Sequence, residues 1–266
     1  MKKVKRYLKM YRIFMSQELK RFLEYKGDFI IGVIGLLISQ IFNILFLAII
    51  FSKIPNLLGW KYYQIVFIYG FSLIPKGLDH MLFDNLWNIG HNIVRKGEFD
   101  KYLTRPINSL FYVLVEKFQV DAFGELIVGI MLIVYSLSQL DFKISFIRII
   151  ALIIAIPFAT LIYTSIKIAT SALAFWIKRS GNITYMFYMF NDFSKYPVTI
   201  YNKVIREIIT YVIPFAFTGF LPACYFLKGE NGLFNIGGTI LLSLVFLVIS
   251  IKIWNIGINH YESAGS

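Results

Sequence analysis

Apolar residues in this chain fall in long blocks, separated by short stretches where the charges collect. Phe29 to Phe51 holds 23 residues without a charge, and at about 1.5 Å per residue it reaches about 34 Å, enough to cross a hydrocarbon core of about 30 Å. After the loop Ser52 to Lys61, a second block runs from Tyr62 to about Ile89, its latter half carrying Lys76, Asp79, His80 and Asp84. A third helix is expected from about Asn108, with Glu116, Lys117, Asp121 and Glu125 in its first part and a clean apolar part from Leu126 to Leu140. A fourth span lies within Ile147 to Ile177 and ends on Lys178 and Arg179. The last runs from about Leu233 to Ile256, followed by the tail Gly257 to Ser266. Between Gly181 and Glu230 two segments, Gly181 to Tyr201 and Ile208 to Phe226, are each apolar enough to enter a membrane. Hydropathy alone does not choose between them.

Ahead of the first block, Val4, Leu8, Tyr11, Met15, Leu19 and Phe22 recur at three- and four-residue spacing, with Lys5, Arg6, Lys9, Arg12 and Lys20 elsewhere around the wheel. This is the pattern of an amphipathic helix lying on a membrane surface. A cleavable signal peptide does not fit, because the basic region and the apolar block are both too long and Ile50-Phe51-Ser52-Lys53 offers no small-residue cleavage site.

Composition strengthens the membrane reading. Hydrophobic residues make up 58% and charged residues 16% of the 266, with a mean hydropathy of +0.66, whereas about 25% charged residues is usual in soluble domains. The net charge of +12 would point towards nucleic acid in a soluble protein; here it sets orientation, and no nucleic-acid partner is expected. Nine basic residues against three acids in the first 28 place the amino end in the cytoplasm. Two crossings then return His91 to Pro106, with Arg95, Lys96, Lys101 and Arg105, to the same side.

Chemistry-bearing motifs are few. Gly232 to Thr239 has the glycine spacing of a P-loop but puts Gly238 where the phosphate-binding lysine belongs. His80, His91 and His260 lack ligand spacing, so no metal site is expected. The lone Cys224 excludes an intrachain disulfide. An unpaired charge in hydrocarbon costs at least about 2.5 to 3.5 kcal/mol, so Lys76, Asp79, His80, Asp84, Asp121 and Glu125 matter. They line a translocation path, or they face water or a partner from a stalk beyond the membrane. Lys167, alone in the fourth span, snorkels or faces the bundle interior. The stretch Arg95 to Pro106 is a compact mixed-charge loop with a short helix from about Glu98 to Leu103; its Phe99, Tyr102 and Leu103 suit an aromatic anchor for a groove on a soluble partner.

An amphipathic helix, two spans, then Gly97, Leu103 and Pro106 in a basic loop resemble the membrane subunits of type-2 ABC transporters, the ABC-2 permeases. Lys195-Tyr196-Pro197, Tyr201, Arg206, Ile213-Pro214 and Leu221-Pro222-Ala223 are similar to that family's outer segment, and Gly257 with Tyr261-Glu262-Ser263 to the tail of one bacterial branch. The resemblance covers nearly the whole chain. It implies an all-α polytopic membrane protein of a single permease domain, residues 1–266. Six transmembrane helices would follow an amino-terminal helix over residues 1–28, with Gly181 to Pro197 as the fifth. Residues 198–230, with Pro197, Arg206, Pro214 and Pro222, would form an outer re-entrant hairpin. Residues 91–106 would be a coupling loop in which Arg95, Gly97, Glu98, Phe99, Asp100, Tyr102, Leu103, Arg105 and Pro106 dock on a separate ATPase. It further implies an exporter in the bacterial cytoplasmic membrane, both termini cytoplasmic, paired with a second permease as a heterodimer before a homodimer. The chain itself would be no enzyme and bind no cofactor, ATP and Mg being held by the ATPase. The alternative class is an ion-coupled transporter using Asp79, Asp121 and Glu125.

Overall fold

The computed structural model describes residues 2–24, 26–141 and 145–263. Eight longer helices organise them: α1 (Lys2–Glu24), α2 (Lys26–Lys53), α3 (Tyr62–Phe83), α4 (Phe123–Ser138), α5 (Phe146–Ala172), α6 (Gly181–Met189), α7 (Phe220–Lys228) and α8 (Gly238–Ile258). Among the described residues no strand forms beyond a single bridge between Leu57 and Trp60. Three helical stretches, Ile30–Lys53, Phe146–Ile177 and Leu233–Ile258, are long and apolar enough to cross a membrane. Their exposed faces are Ile, Leu, Val and Phe, as lipid contact demands.

Helix α5 is the axis. From Ala155 to Ala172 it buries residues on nearly every side, while its first turns are exposed. Beside it α8 turns inward a stripe of small or hydroxylated residues, Thr239, Ser243 and Ser250, followed by Trp254 and Gly257. Thr239 donates to the Asn235 carbonyl of the preceding turn, and Ser243 and Ser250 donate to carbonyls of α8 itself, so these hydroxyls are satisfied, while the Trp254 indole N–H is buried without a partner.

Helices α3 and α4 approach more closely still. Ser136 donates to the Tyr63 carbonyl at one end (2.6 Å), and Lys76 reaches Glu125 at the other (3.0 Å). Between these ties Gly70 meets Gly129: a Cβ on Gly129 would stand 2.8 Å from the Gly70 carbonyl oxygen and 3.2 Å from Leu73 Cβ. Only glycine allows this approach.

Three expected helices differ from the observed ones. The third is broken: after Ser109–Val115 the chain leaves the helix and re-enters at Phe123. Glu116 is drawn aside by Tyr102, Lys101 and Asn85, and the Gln119 amide donates to the Met81 carbonyl. Lys117 and Asp121 therefore do not pair along a helix. The fifth, expected over Gly181 to Pro197, is α-helical only to Met189 and tightens to a 3-10 helix over Phe190–Lys195. Tyr196 is extended before Pro197, as a residue preceding proline prefers. Third, the short loop helix starts at Asp100, not Glu98.

Residues 198–230 are a string of short turns and helices. They pack Phe215, Phe217, Phe220 and Phe226 into one core with Trp60, Phe67 and Tyr163 from the ends and middle of α3 and α5. At the opposite end a second core joins Leu86, Phe99, Tyr102, Tyr112, Phe175 and Trp254. Helix α1 leans on that end, with Tyr7 edge-on to Phe111 at 4.4 Å and Phe14 against Tyr112 at 5.5 Å. Tyr11 and Met15 are half-buried, while the side chains of Val4, Leu8, Leu19 and Phe22 lie outside the described ones.

Replacing Gly129 with Val inserts an isopropyl group whose Cβ alone would stand 2.8 Å from a backbone carbonyl oxygen. We expect a loss of at least about 3 kcal/mol, at the upper end for overpacked cores, read as a lowered melting temperature and a smaller monodisperse peak in detergent; an unchanged melting temperature would remove the close contact from the account.

Candidate functional site

Charge enters the helix bundle through α3, whose polar half offers Lys76, Asp79, His80 and Asp84. Lys167 of α5 is fully buried, and its Nζ lies 2.7 Å from Asp79 Oδ2 and 3.6 Å from Asp84 Oδ1. One turn before Lys167, the Thr164 hydroxyl donates to Asp79 Oδ1 at 2.9 Å. Gln119 donates to Asp84 at 3.2 Å. Beside Asp79 on α3, Lys76 Nζ and His80 Nδ1 each lie 3.0 Å from a Glu125 oxygen. His80 Nε2 meets the Tyr188 hydroxyl of α6 at 2.5 Å. An ionised Glu125 only accepts, so Nδ1 carries the proton, and Nε2 accepts from Tyr188 when His80 is neutral.

Asp79 is fully buried and Glu125 is 4% exposed, so neither stands on a water-facing stalk. Lys167 does not snorkel. Asp79 and Lys167 neutralise each other's charge, as buried charges must, although Nζ and Oδ2 at 2.7 Å are not aligned as a hydrogen bond. Tyr163 and Asn191 extend the polar core: the Tyr163 hydroxyl donates to the Asn191 side chain and accepts from Thr218. Sequence reasoning missed Thr164, Tyr188 and Asn191. A usable signal existed for one contact, since a lysine within an apolar span requires a carboxylate, and the acids of α3 were the nearest supply.

The loop between α3 and the helix Ser109–Val115 is the second candidate. Helix Asn85–Asn88 runs into a π-helical turn over Ile89–Ile93. The chain then leaves the helix with Glu98 N–H bonded to the Ile93 carbonyl and Gly97 N–H to the Val94 carbonyl. That double closure needs a left-handed residue, supplied by Gly97 at φ 72°. Asn108 starts the next helix by accepting from the Phe111 amide at 2.9 Å.

Phe99 and Tyr102 are buried, not presented. Phe99 packs against Phe175, Trp254 and Tyr261, with centroids 4.8 to 6.0 Å away, and Tyr102 packs on Tyr112. The outward anchor expected of these rings is therefore unavailable. The face left open includes Asn92, Arg95, Lys96, Glu98, Lys101, Leu103, Thr104, Arg105 and Pro106, with Leu103 its large apolar residue. Asp100 is half-buried and accepts from the Ser263 hydroxyl, and Tyr261 donates to the Gly97 carbonyl. Beneath, burial alone would raise the Glu116 carboxyl, but hydrogen bonds from Tyr102 and Lys101 and the Lys101 charge hold it below the usual carboxylate range.

The remaining residues singled out belong to the segment that packs beyond the polar core. Pro197 precedes a 3-10 turn, Arg206 ends the short helix Lys203–Glu207, Pro214 opens the turn at Phe215–Phe217, and Pro222 sits in the first turn of α7. Among the described residues no group of His, Cys, Asp and Glu is placed to hold a metal.

An all-helical bundle with lipid-suited outer faces and buried, largely paired charges is the build of an integral membrane protein. The model of the ABC-2 family transporter protein matches residues 37–265, and the chain belongs to that family. It is an ABC transporter permease. No curated protein and no solved structure matches it.

Two variants test the geometry. Lys167→Met leaves Asp79 buried without its cation, and we expect about 3 to 5 kcal/mol of destabilisation; Lys167→Met with Asp79→Asn should recover much of it, measured as melting temperature in detergent. Equal melting temperatures for the single and double variants would contradict the pairing. Phe99→Ala removes a buried ring and should cost about 3 to 5 kcal/mol; a fully stable Phe99→Ala protein would return the ring to the outer face.

Proposed function

We propose that this permease couples ATP hydrolysis by a separate ATPase to export, with the loop 91–106 as the element on which the ATPase pushes. The observation that carries the reading is the division of labour within the loop. Its outer face is charged and open, while Phe99 and Tyr102 lock its inner face to the ends of the α5 and α8 stretches and to the helix Ser109–Val115. A load on the outer face thus reaches three helical stretches together. Arg95, Lys96, Leu103 and Arg105 make the contacts and Gly97 sets their direction.

In this proposal the chain crosses the membrane six times, both termini face the cytoplasm, and 198–230 is an outer re-entrant region. The chain pairs with a different permease. ATP and Mg belong to the ATPase. Ion-coupled transport through Asp79, Asp121 and Glu125 has less support, because Asp79 and Glu125 are already held by lysines.

The test is purification from native membranes in mild detergent, with mass spectrometry of what accompanies the chain and an ATPase assay. A stoichiometric ATP-binding subunit is expected, and the double variant Arg95→Glu, Lys96→Glu should lower its recovery at least about tenfold without lowering the permease's own stability, since opposed rim charges act on association. ATPase-free permease from a preparation that preserves other ABC complexes, or unchanged recovery with the variant, would defeat the proposal.

A further inference from the structure

A cavity of about 320 Å³ opens beside the buried charges, between α2, α3, α4 and α6. That is the lower end of the range for small-molecule sites, about 300 to 1,000 Å³. Its walls are of two kinds. Trp87, Tyr185 and Tyr188 bring aromatic surface, the Trp87 and Tyr188 rings standing edge to face at 5.5 Å. Asp84, Asp121 and Glu125 bring carboxylates. Glu125 is committed to Lys76 and His80, and Asp84 to Gln119 and Lys167. The Asp121 side chain has no hydrogen-bond or ion partner among the described residues.

The charge count shows the same imbalance. Asp79, Asp84, Asp121 and Glu125 make four carboxylates, facing Lys76, Lys167 and, when protonated, His80. Four against three leaves a negative charge unmatched, in a chain whose overall charge is +12.

Location narrows the ligand. A Cβ on Gly32, in α2, would lie 3.6 Å from Asp121 Oδ2, and Gly32 is at the start of the apolar stretch Ile30–Lys53. The unpaired carboxylate therefore sits where hydrocarbon gives way to the polar boundary. Tyr185, which lines the cavity, is 57% exposed, so the cavity opens at the surface of the chain.

We propose that this cavity binds an amphiphilic organic cation, a protonated or quaternary amine on an apolar body. The inference rests on the chain being a permease and names the chemical class of its ligand. An amine's charge lies at the polar boundary and its body in hydrocarbon, the depth at which Asp121 stands. The cation would pair with Asp121 and lie against the aromatic wall of Trp87, Tyr185 and Tyr188, where one face of Tyr188 is already taken by His80. An anion would add to the excess negative charge, and a neutral body would leave Asp121 unpaired in a poorly solvated wall.

The experiment uses the purified full-length permease in phosphatidylcholine nanodiscs, where lipid charge does not concentrate cations. Radiolabelled benzyltrimethylammonium is titrated by equilibrium dialysis, in parallel with its neutral isostere neopentylbenzene. Saturable binding of the cation, at least about tenfold tighter than the isostere, is expected, as is a loss of about tenfold or more in Asp121→Asn with recovery in Asp121→Glu. Because the Asp121 carboxylate holds no partner, Asp121→Asn should melt with the parent protein. Equal affinity for cation and isostere, no saturable binding, or unchanged binding in Asp121→Asn would overturn the proposal. No ATPase is present in the assay, so failure to recover one and failure to bind the cation are separate results.

Discussion

A lysine fully enclosed at the centre of a membrane bundle is the constraint around which the other helices are arranged. Lys167 has no route to water, so a carboxylate must come to it, and the one that comes, Asp79, is equally enclosed. The desolvation cost of such a pair is repaid only where the remaining lone pairs are also satisfied. Thr164 does part of that work, and it lies one turn along the same helix. Once α3 is fixed by Asp79, the adjoining side of the helix presents Lys76 and His80. These fix α4 through Glu125 and α6 through Tyr188. The glycine contact between Gly70 and Gly129 is the steric counterpart, letting α4 come close enough for Glu125 to be reached.

The sequence made some of this arrangement legible. The apolar blocks at Ile30–Lys53, Phe146–Ile177 and Leu233–Ile258 were readable because a lipid-facing helix must be apolar over its whole length, a one-dimensional property. The amphipathic pattern of α1 was readable for a similar reason. What could not be read was anything decided by a contact distant in sequence. The break between Val115 and Phe123 depends on Tyr102, Asn85 and Met81 drawing off Glu116 and Gln119, and the charge pattern of that stretch suits an unbroken helix equally well. Phe99 and Tyr102 looked like an outward anchor because the cage of Phe175, Trp254, Tyr261 and Tyr112 is gathered from three separate parts of the chain. The polar residues of α3 were visibly functional candidates, but their burial depended on the depth at which Lys167 meets them.

The two candidate sites are joined by polar contacts. From the loop, the Tyr102 hydroxyl and Lys101 bind Glu116, and Asn85 donates to Glu116 and to the Val113 carbonyl, each at 3.0 Å. Asn85 follows Asp84, which faces Lys167 and through it Asp79. Contacts within this chain differ in what their loss would leave behind. Separating Lys167 from Asp79 strands two enclosed charges. Separating Tyr102 from Glu116 opens an aromatic core. Parting Asp84 from Lys167, already 3.6 Å away, leaves Asp84 with Gln119 and Lys167 with Asp79, so no charge is bared. A rotation of the loop end against α5 is therefore accommodated most cheaply at Asp84. That residue also lines the cavity beside α2, so motion at the loop and the shape of the cavity meet in one side chain.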